Sequence, residues 1–382
     1  MPLSIHAPAL ERASHRNRQA CGTIAPRRGY ADPVFCPRCH RDYPSHYAFC
    51  PVDGEATTEH PNLDQVRASP TRITDALLNK RYKVRGFIGK GGMARVYLAE
   101  DEQTGRAVAV KVLERPWAND ENGRRRFLRE ALAVSRIGHP NIVNIFEAGL
   151  REEDQAPYLV MEFLFGEPVG RYLARNGTIP TEIALPALQQ AASALAAAHK
   201  KGVIHRDVKP DNLFLIGEPG DPYELKVLDF GLSKLQTSDL TAVGSVLGTP
   251  AYMAPEQALA ETADERSDVY GLGMVMYRAF TGVAPFGGDD ITVLAHQVHS
   301  PLMRPREIDE TIDPRVEQVI LTATRKDPKH RYPAMDIFFD DLGKLTAQGA
   351  RLWAFDVKQD RYEPTTKVGG LVADSLSRML GS

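Results

Sequence analysis

Eight residues near the middle of the chain, His205-Arg206-Asp207-Val208-Lys209-Pro210-Asp211-Asn212, bring five ionisable side chains and an amide together. They follow a helical face formed by Leu188, Ala192, Leu195 and His199, spaced by 4, 3 and 4 residues, which Gly202 ends. Twenty-two residues after Asp207 comes Asp229-Phe230-Gly231, and farther on Gly248-Thr249-Pro250 and Ala254-Pro255-Glu256. Upstream the character is different. Short β-branched runs at Tyr82 to Ile88, Val96 to Glu100 and Ala107 to Leu113, separated by glycine-rich or polar turns, read as an antiparallel meander. A charged helix is expected over about 123–137, with further strands at about 143–148 and 158–163; beyond residue 170 the pattern is mostly helical.

The chain has 382 residues, 43% apolar and 25% charged, which is ordinary globular composition for two or three domains. Lysine plus arginine (47) nearly balances aspartate plus glutamate (49), so bulk charge argues against nonspecific nucleic-acid binding. No run of about eighteen apolar residues is present, so no membrane span is expected. Residues 1–33 carry no apolar signal core and read as a disordered basic leader. Four cysteines cannot make a disulfide scaffold; three fall within fifteen positions, which points to a metal site in a reducing, cytoplasmic compartment.

Between two of the expected strands lies Ile88-Gly89-Lys90-Gly91-Gly92-Met93-Ala94-Arg95-Val96. A glycine-rich turn between antiparallel strands can lay its N–H groups over phosphates, because no Cβ blocks close approach. A dinucleotide-binding turn would need a helix next, and here the next segment reads as a strand. Ala94 stands where a third glycine of G-x-G-x-x-G would be. Farther along, Lys111 ends the apolar run Ala107-Val108-Ala109-Val110 and calls for an anionic partner, for which Glu130 on the following helix is the candidate.

This ordered set of motifs resembles the eukaryotic-like protein kinases, and especially the bacterial serine/threonine kinases, over about residues 82–342. The resemblance implies a two-lobed α+β fold, with a β-rich N-lobe and a helical C-lobe, over 79–345. It implies transfer of the ATP γ-phosphoryl group to Ser or Thr hydroxyls of protein substrates, with Mg²⁺ or Mn²⁺ and autophosphorylation through self-association. On these positions Asp207 is the expected catalytic base, Lys209 the γ-phosphate contact, and Asn212 and Asp229 the Mg²⁺ ligands. Lys111 with Glu130 is the expected α/β-phosphate clamp. Ile88, Gly89, Lys90, Gly91 and Gly92 are expected over the nucleotide. Val96, Ala109 and Phe214 would sandwich adenine beside Met161 and the hinge residues Glu162, Phe163 and Leu164. The resemblance also implies a Glu256–Arg331 ion pair, an Asp268 anchor for the catalytic-loop backbone, and Arg206 as a receiver for phosphate on Thr237, Thr241 or Ser245. Lys209 and Thr249 look like the serine/threonine class. The competing expectation is a pseudokinase or interaction scaffold, against which the intact Lys111, Glu130, Asp207, Asn212 and Asp229 speak.

Cys36-Pro37-Arg38-Cys39 and Cys50-Pro51-Val52-Asp53-Gly54 are spaced as a zinc-ribbon-like module over 34–58, with Asp53 where a fourth cysteine would stand. His40, His46 and Cys21 are alternative fourth ligands. Residues 59–78 read as a linker. Residues 346–382 read as a tail, in which Leu371, Leu376 and Leu380 mark a short amphipathic helix.

Overall fold

In the computed structural model the described residues are 77–349, less 92, 116, 165, 218–222 and 231–249, together with three two-residue strands nearer the N-terminus. The chain divides into two units, 1–61 and 62–382.

In the first unit β1 (Val34–Phe35), β2 (Asp42–Tyr43) and β3 (Thr58–Glu59) form an antiparallel sheet in the order β2-β1-β3. Val34 is opposite both Tyr43 and Glu59. In sequence, Cys36 and Cys39 fall in the β1–β2 connection, and Cys50 and Asp53 in the β2–β3 connection. All four, with His40 and His46, lie outside the described residues.

The second unit opens with β4 (Leu77–Leu78), inside the stretch read as linker, and continues through β5 (Tyr82–Lys90), β6 (Ala94–Asp101) and β7 (Arg106–Leu113). The glycine-rich turn therefore joins two strands, as expected. Helix α1 (Glu121–Ser135) follows, then β8 (Ile145–Leu150) and β9 (Pro157–Glu162), each within two residues of its sequence expectation. The six strands form an antiparallel sheet in the order β4-β5-β6-β7-β9-β8. Its apolar face is closed by Tyr82, Tyr97, Val108, Val110, Val112, Tyr158 and Val160, while the intervening Lys111 points the other way by strand alternation. One carboxylate pins the sheet edge: Glu147 accepts from the hydroxyls of Tyr82 (2.7 Å) and Tyr158 (2.5 Å) and from Arg81 (3.1 Å). These bonds and burial hold both phenols far above the usual tyrosine value.

A second sheet, β10 (Gly166–Pro168), β11 (Leu213–Ile216) and β12 (Glu224–Val227), carries the segments on either side of the catalytic stretch. Between β10 and β11 run α2 (Val169–Asn176) and α3 (Thr181–Lys200). Alanines line α3 because other helices approach it closely: Ala191, Ala192, Ala194 and Ala198 are wholly buried. After β12 come α4 (Pro255–Ala258), α5 (Glu265–Thr281), α6 (Asp290–His299), α7 (Pro305–Ile308), α8 (Pro314–Ala323) and α9 (Met335–Gly349). The last helix runs past the expected domain end at 345. Asp264 caps the start of α5, accepting from Arg266 N at 2.8 Å, and left-handed Gly282 (φ 73°) ends it. Almost every residue of α5 between its caps is buried, as for a helix through the middle of a core. Its Gly271 admits the catalytic stretch: a Cβ there would lie 3.0 Å from Val208 Cβ and from the Val208 carbonyl oxygen.

Among the described residues, no helix is long and apolar enough to cross a membrane. The tail helix expected near 371–380 lies outside the described residues.

Candidate active site

The catalytic stretch begins where α3 stops. Gly202 (φ 72°) turns the chain, and His205, Arg206 and Asp207 cross over the N-terminal part of α5. There Asp268, which is fully buried, accepts the backbone N–H of His205 at 2.8 Å and of Arg206 at 2.7 Å. The anchoring role expected of Asp268 is thus present. Arg206 sits at φ 64° and Asp229 at φ 55°, left-handed conformations that cost a non-glycine residue of order 1 kcal/mol or more and persist only where neighbours impose them. Asp268 imposes the first, together with Gln257, whose Nε2 donates to the Arg206 carbonyl at 2.9 Å. The His205 ring joins the two segments. Its Nδ1 accepts from Asp207 N (3.2 Å), so its proton is on Nε2, which donates to the Leu228 carbonyl one residue before Asp229 (2.8 Å).

These constraints bring the expected catalytic side chains into one cluster. Lys209 Nζ donates to Asp207 Oδ2 at 2.8 Å. Asn212 Nδ2 donates to Asp207 O at 2.8 Å and to Oδ2 at 3.1 Å. Both side-chain contacts of Asp207 are thus on one oxygen, and its carboxylate is partly exposed. Lys111 reaches Asp229, Nζ to Oδ1 2.6 Å. The sequence reading offered Glu130 as the anionic partner; the ion pair that Lys111 makes at 2.6 Å is with Asp229. The cause is electrostatic. A nearly buried ammonium at the end of an apolar strand takes the carboxylate that the left-handed turn at Asp229 presents to it. Burial pushes the Asp229 carboxyl up, but the Lys111 ammonium, with Lys209 behind it, outweighs burial and holds it below the usual carboxylate range.

The residues expected around a nucleotide fall on β5, β6, β7 and β11, on β9 or just after it, and in the glycine-rich turn. In register, Val96 is opposite Lys111, Met161 opposite Ala109, and Phe214 opposite both Pro168 and Lys226. Ile88 is exposed, and Leu164 follows β9. Lys90 pairs with Glu114 at 3.3 Å, and Gly91 N donates to Ala94 O at 2.8 Å to close the turn; Gly92 lies outside the described residues. Sequence reading missed what holds Glu162. Its Oε1 accepts Asn144 N (2.7 Å) and Lys226 Nζ (2.9 Å), and its own N–H goes to Asn144 O (3.0 Å), so its carboxylate and N–H are committed within the chain. The signal was available: Lys226 interrupts the run Leu225-Lys226-Val227-Leu228, the same anomaly that singled out Lys111.

The arrangement fits a nucleotide triphosphate with a hard divalent cation. A Cβ at Gly89 would meet nothing within 4 Å, and one at Gly91 only Ala94 O at 3.7 Å, so the space these glycines leave is not filled by the protein. Asn212 spends its amide N–H groups on Asp207, which leaves its side-chain oxygen, like the Asp229 carboxylate, a hard oxygen donor. Among the described residues no group of three or more His, Cys, Asp or Glu could hold a metal. That is consistent with Mg²⁺, which is typically held by one or two protein oxygens and substrate phosphates, whereas a self-sufficient metal cage is not.

Residues 82–341 match the protein kinase domain family. The chain belongs to the protein kinase family. Its kinase domain is similar to the serine/threonine-protein kinase PrkC of Bacillus subtilis, 38% identical over 300 residues, covering 78% of this chain and 45% of that one. It is also similar to PknL of Mycobacterium tuberculosis, 36% identical over 262 residues, covering 68% of this chain and 64% of that one. The chain thus spans less than half the length of the Bacillus relative. Among solved structures, the kinase domain of Mycobacterium tuberculosis PknI superposes with a TM-score of 0.55 at 26% identity, over 69% of this chain and 95% of that one. Two braces expected of a kinase C-lobe are present: the Asp268 anchor and the Glu256–Arg331 pair, whose two N···O contacts are both 2.7 Å.

Proposed function

We propose that the chain is a serine/threonine protein kinase that transfers the ATP γ-phosphoryl group to Ser or Thr hydroxyls of proteins, itself among them. The observation that carries this reading is the Asp207–Lys209–Asn212 cluster facing the Lys111–Asp229 pair. Phosphoryl transfer asks a protein mainly to position its reactants and to offset phosphate charge. Asp207, fixed through Oδ2, orients the incoming hydroxyl and accepts its proton. Lys209, beside it, offsets charge on the transferred group, and Lys111 does so for the inner phosphates. Asn212 and Asp229 would hold Mg²⁺, which when bound neutralises phosphate charge. Val96, Ala109, Met161 and Phe214 supply the apolar walls for adenine. Similarity to PrkC and PknL, both described as serine/threonine-protein kinases, supports phosphoryl transfer to Ser or Thr hydroxyls. The test is incubation with γ-labelled ATP, Mg²⁺ and a protein acceptor, followed by phosphoamino-acid analysis. Label on serine or threonine is expected; label only on tyrosine, or none, contradicts the proposal.

Zinc in the first unit is part of the same reading. Cys36, Cys39 and Cys50 would be ligands, with Asp53 as the fourth. The support is that the two knuckle sequences fall in the two connections of the β2-β1-β3 sheet, whose strands are too short to bury a core of their own. About one zinc per chain is expected after purification without chelator, and Cys36→Ala should release it. A chain with less than about 0.2 equivalents contradicts the assignment.

A further inference from the structure

Lys326, which precedes the turn Asp327–Arg331, has no carboxylate partner among the described residues. Its ammonium lies 2.7 Å from Gln297 O and 3.2 Å from His296 O, the last-turn carbonyls of α6. It also reaches the Tyr270 hydroxyl at 3.2 Å and stands 4.6 Å over the Phe286 ring. A cation at the end of a helix satisfies carbonyls the helix itself leaves open. Burial, with Arg331 nearby, lowers this ammonium to about 8.

The residue it holds is engaged in turn. Gln297 is wholly buried, and its Oε1 accepts the Tyr270 hydroxyl at 2.5 Å. That fixes which way the amide faces. Its Nε2 then donates to two successive carbonyls, Pro250 O at 3.0 Å and Ala251 O at 2.8 Å. Pro250–Tyr252 is the turn that enters α4, and α4 reaches the catalytic stretch through Gln257 and the Arg206 carbonyl. Two consecutive carbonyls of this single 3₁₀ turn are thus held by one buried amide from outside the turn, Pro250 O accepting Met253 N at 3.1 Å besides.

We propose that Lys326 and Gln297 are positioning residues for the protein substrate: the Lys326 cage seats α6, and the Gln297 amide sets the Pro250–Tyr252 backbone against which a protein must lie to bring its hydroxyl to Asp207. The proposal rests on the protein-kinase reading. It predicts a division between the two substrates, because neither residue touches the nucleotide-lining strands.

The experiment is steady-state kinetics on the full chain, with protein acceptor and ATP varied in turn, for wild type, Gln297→Glu, Lys326→Met, Lys326→Arg and Tyr270→Phe. Gln297→Glu is isosteric but turns the two donors toward Pro250 and Ala251 into an acceptor. It should raise the KM for the protein about tenfold or more, since Ala251 O loses its side-chain partner and Pro250 O keeps only Met253 N, and leave the KM for ATP within about twofold. Lys326→Met should act in the same direction, and Lys326→Arg should restore most of the affinity. Tyr270→Phe removes only the hydroxyl that orients the amide. It should give a smaller rise in the same KM, and so tests the idea even where Gln297→Glu folds poorly. A purely structural brace would lower the active fraction, and hence the maximal rate, with the protein KM unmoved; that result overturns the proposal. An equal rise in both KM values overturns it too. A wild type that transfers no phosphoryl group would instead remove the kinase reading underneath.

Discussion

Lys111→Met is expected to lower phosphoryl transfer about 10²–10³-fold while leaving the melting temperature within a few degrees of wild type. Methionine keeps much of the stem that lies in the apolar run of β7 and removes only the charge. The partner left behind tolerates this, because the Asp229 side chain is 39% exposed and keeps Lys209 nearby. The pH dependence of stability separates the two roles. Asp229 has its carboxyl lowered in the folded chain, so its contribution is present above the ordinary carboxylate value of 3.8 and is lost as pH falls through the folded value. Lys111→Met should flatten that acid-side loss. Differential scanning fluorimetry from pH 2 to 7, beside a transfer assay at pH 7, measures both. A large drop in melting temperature at neutral pH would make Lys111 a structural residue, and full activity would mean that phosphate charge is met elsewhere.

Arg331→Met should be the most destabilising single substitution in the C-lobe, by about 3–5 kcal/mol, which for a domain of this size is roughly 10 °C in melting temperature. The guanidinium uses all five of its N–H donors. Nη1 reaches Glu256 Oε1 (2.7 Å) and Arg266 O (3.0 Å), Nη2 reaches Glu256 Oε2 (2.7 Å) and Lys326 O (2.9 Å), and Nε reaches Arg325 O (2.7 Å). Its side chain is wholly inaccessible, so the loss leaves the buried Glu256 carboxylate without its ion pair, held by the Ser267 hydroxyl at 2.7 Å and its own backbone N–H, and takes one donor from each of three carbonyls. Burial pushes Glu256 up, but Arg331 outweighs it and holds the carboxyl below 4.5. The pair therefore stabilises above that pH and fades as the folded-state value is passed on acidification, and the gap between wild type and Arg331→Met should narrow there. Arg331→Lys keeps the charge without the fork and should recover less than half of the loss. Pairing Arg331→Met with Glu256→Leu should cost less than the sum of the two single changes, as expected for one buried network.

These two sites also mark what a single sequence reveals. The strands from Tyr82 to Leu113 and the helix near 123–137 were legible because period-2 and period-3.6 patterns are local; the hinge at Met161 to Leu164 rests on the resemblance. Asp268 and the Glu256–Arg331 pair were legible through motif resemblance. Contacts between segments far apart in sequence were not. Lys111 needed an anion, but that Asp229 meets it depends on the turn at Asp229 and the packing of β7, 118 residues away. Lys226, Asn144 and Glu162 meet only because β12 runs beside the β8–β9 edge, and Gln297 carried no local signal at all. A glutamine inside an amphipathic helix looks the same whether it faces water or, as here, two buried carbonyls.

The most direct test of the account compares wild type with Asp207→Asn in one assay, measuring transfer of label from γ-labelled ATP to a protein acceptor in the presence of Mg²⁺. The substitution preserves shape and leaves Lys111–Asp229 untouched, but removes the carboxylate that orients the hydroxyl and accepts its proton. The account predicts label on serine or threonine with wild type and a rate lower by about 10²–10⁴-fold with Asp207→Asn. Equal rates from the two proteins would contradict it.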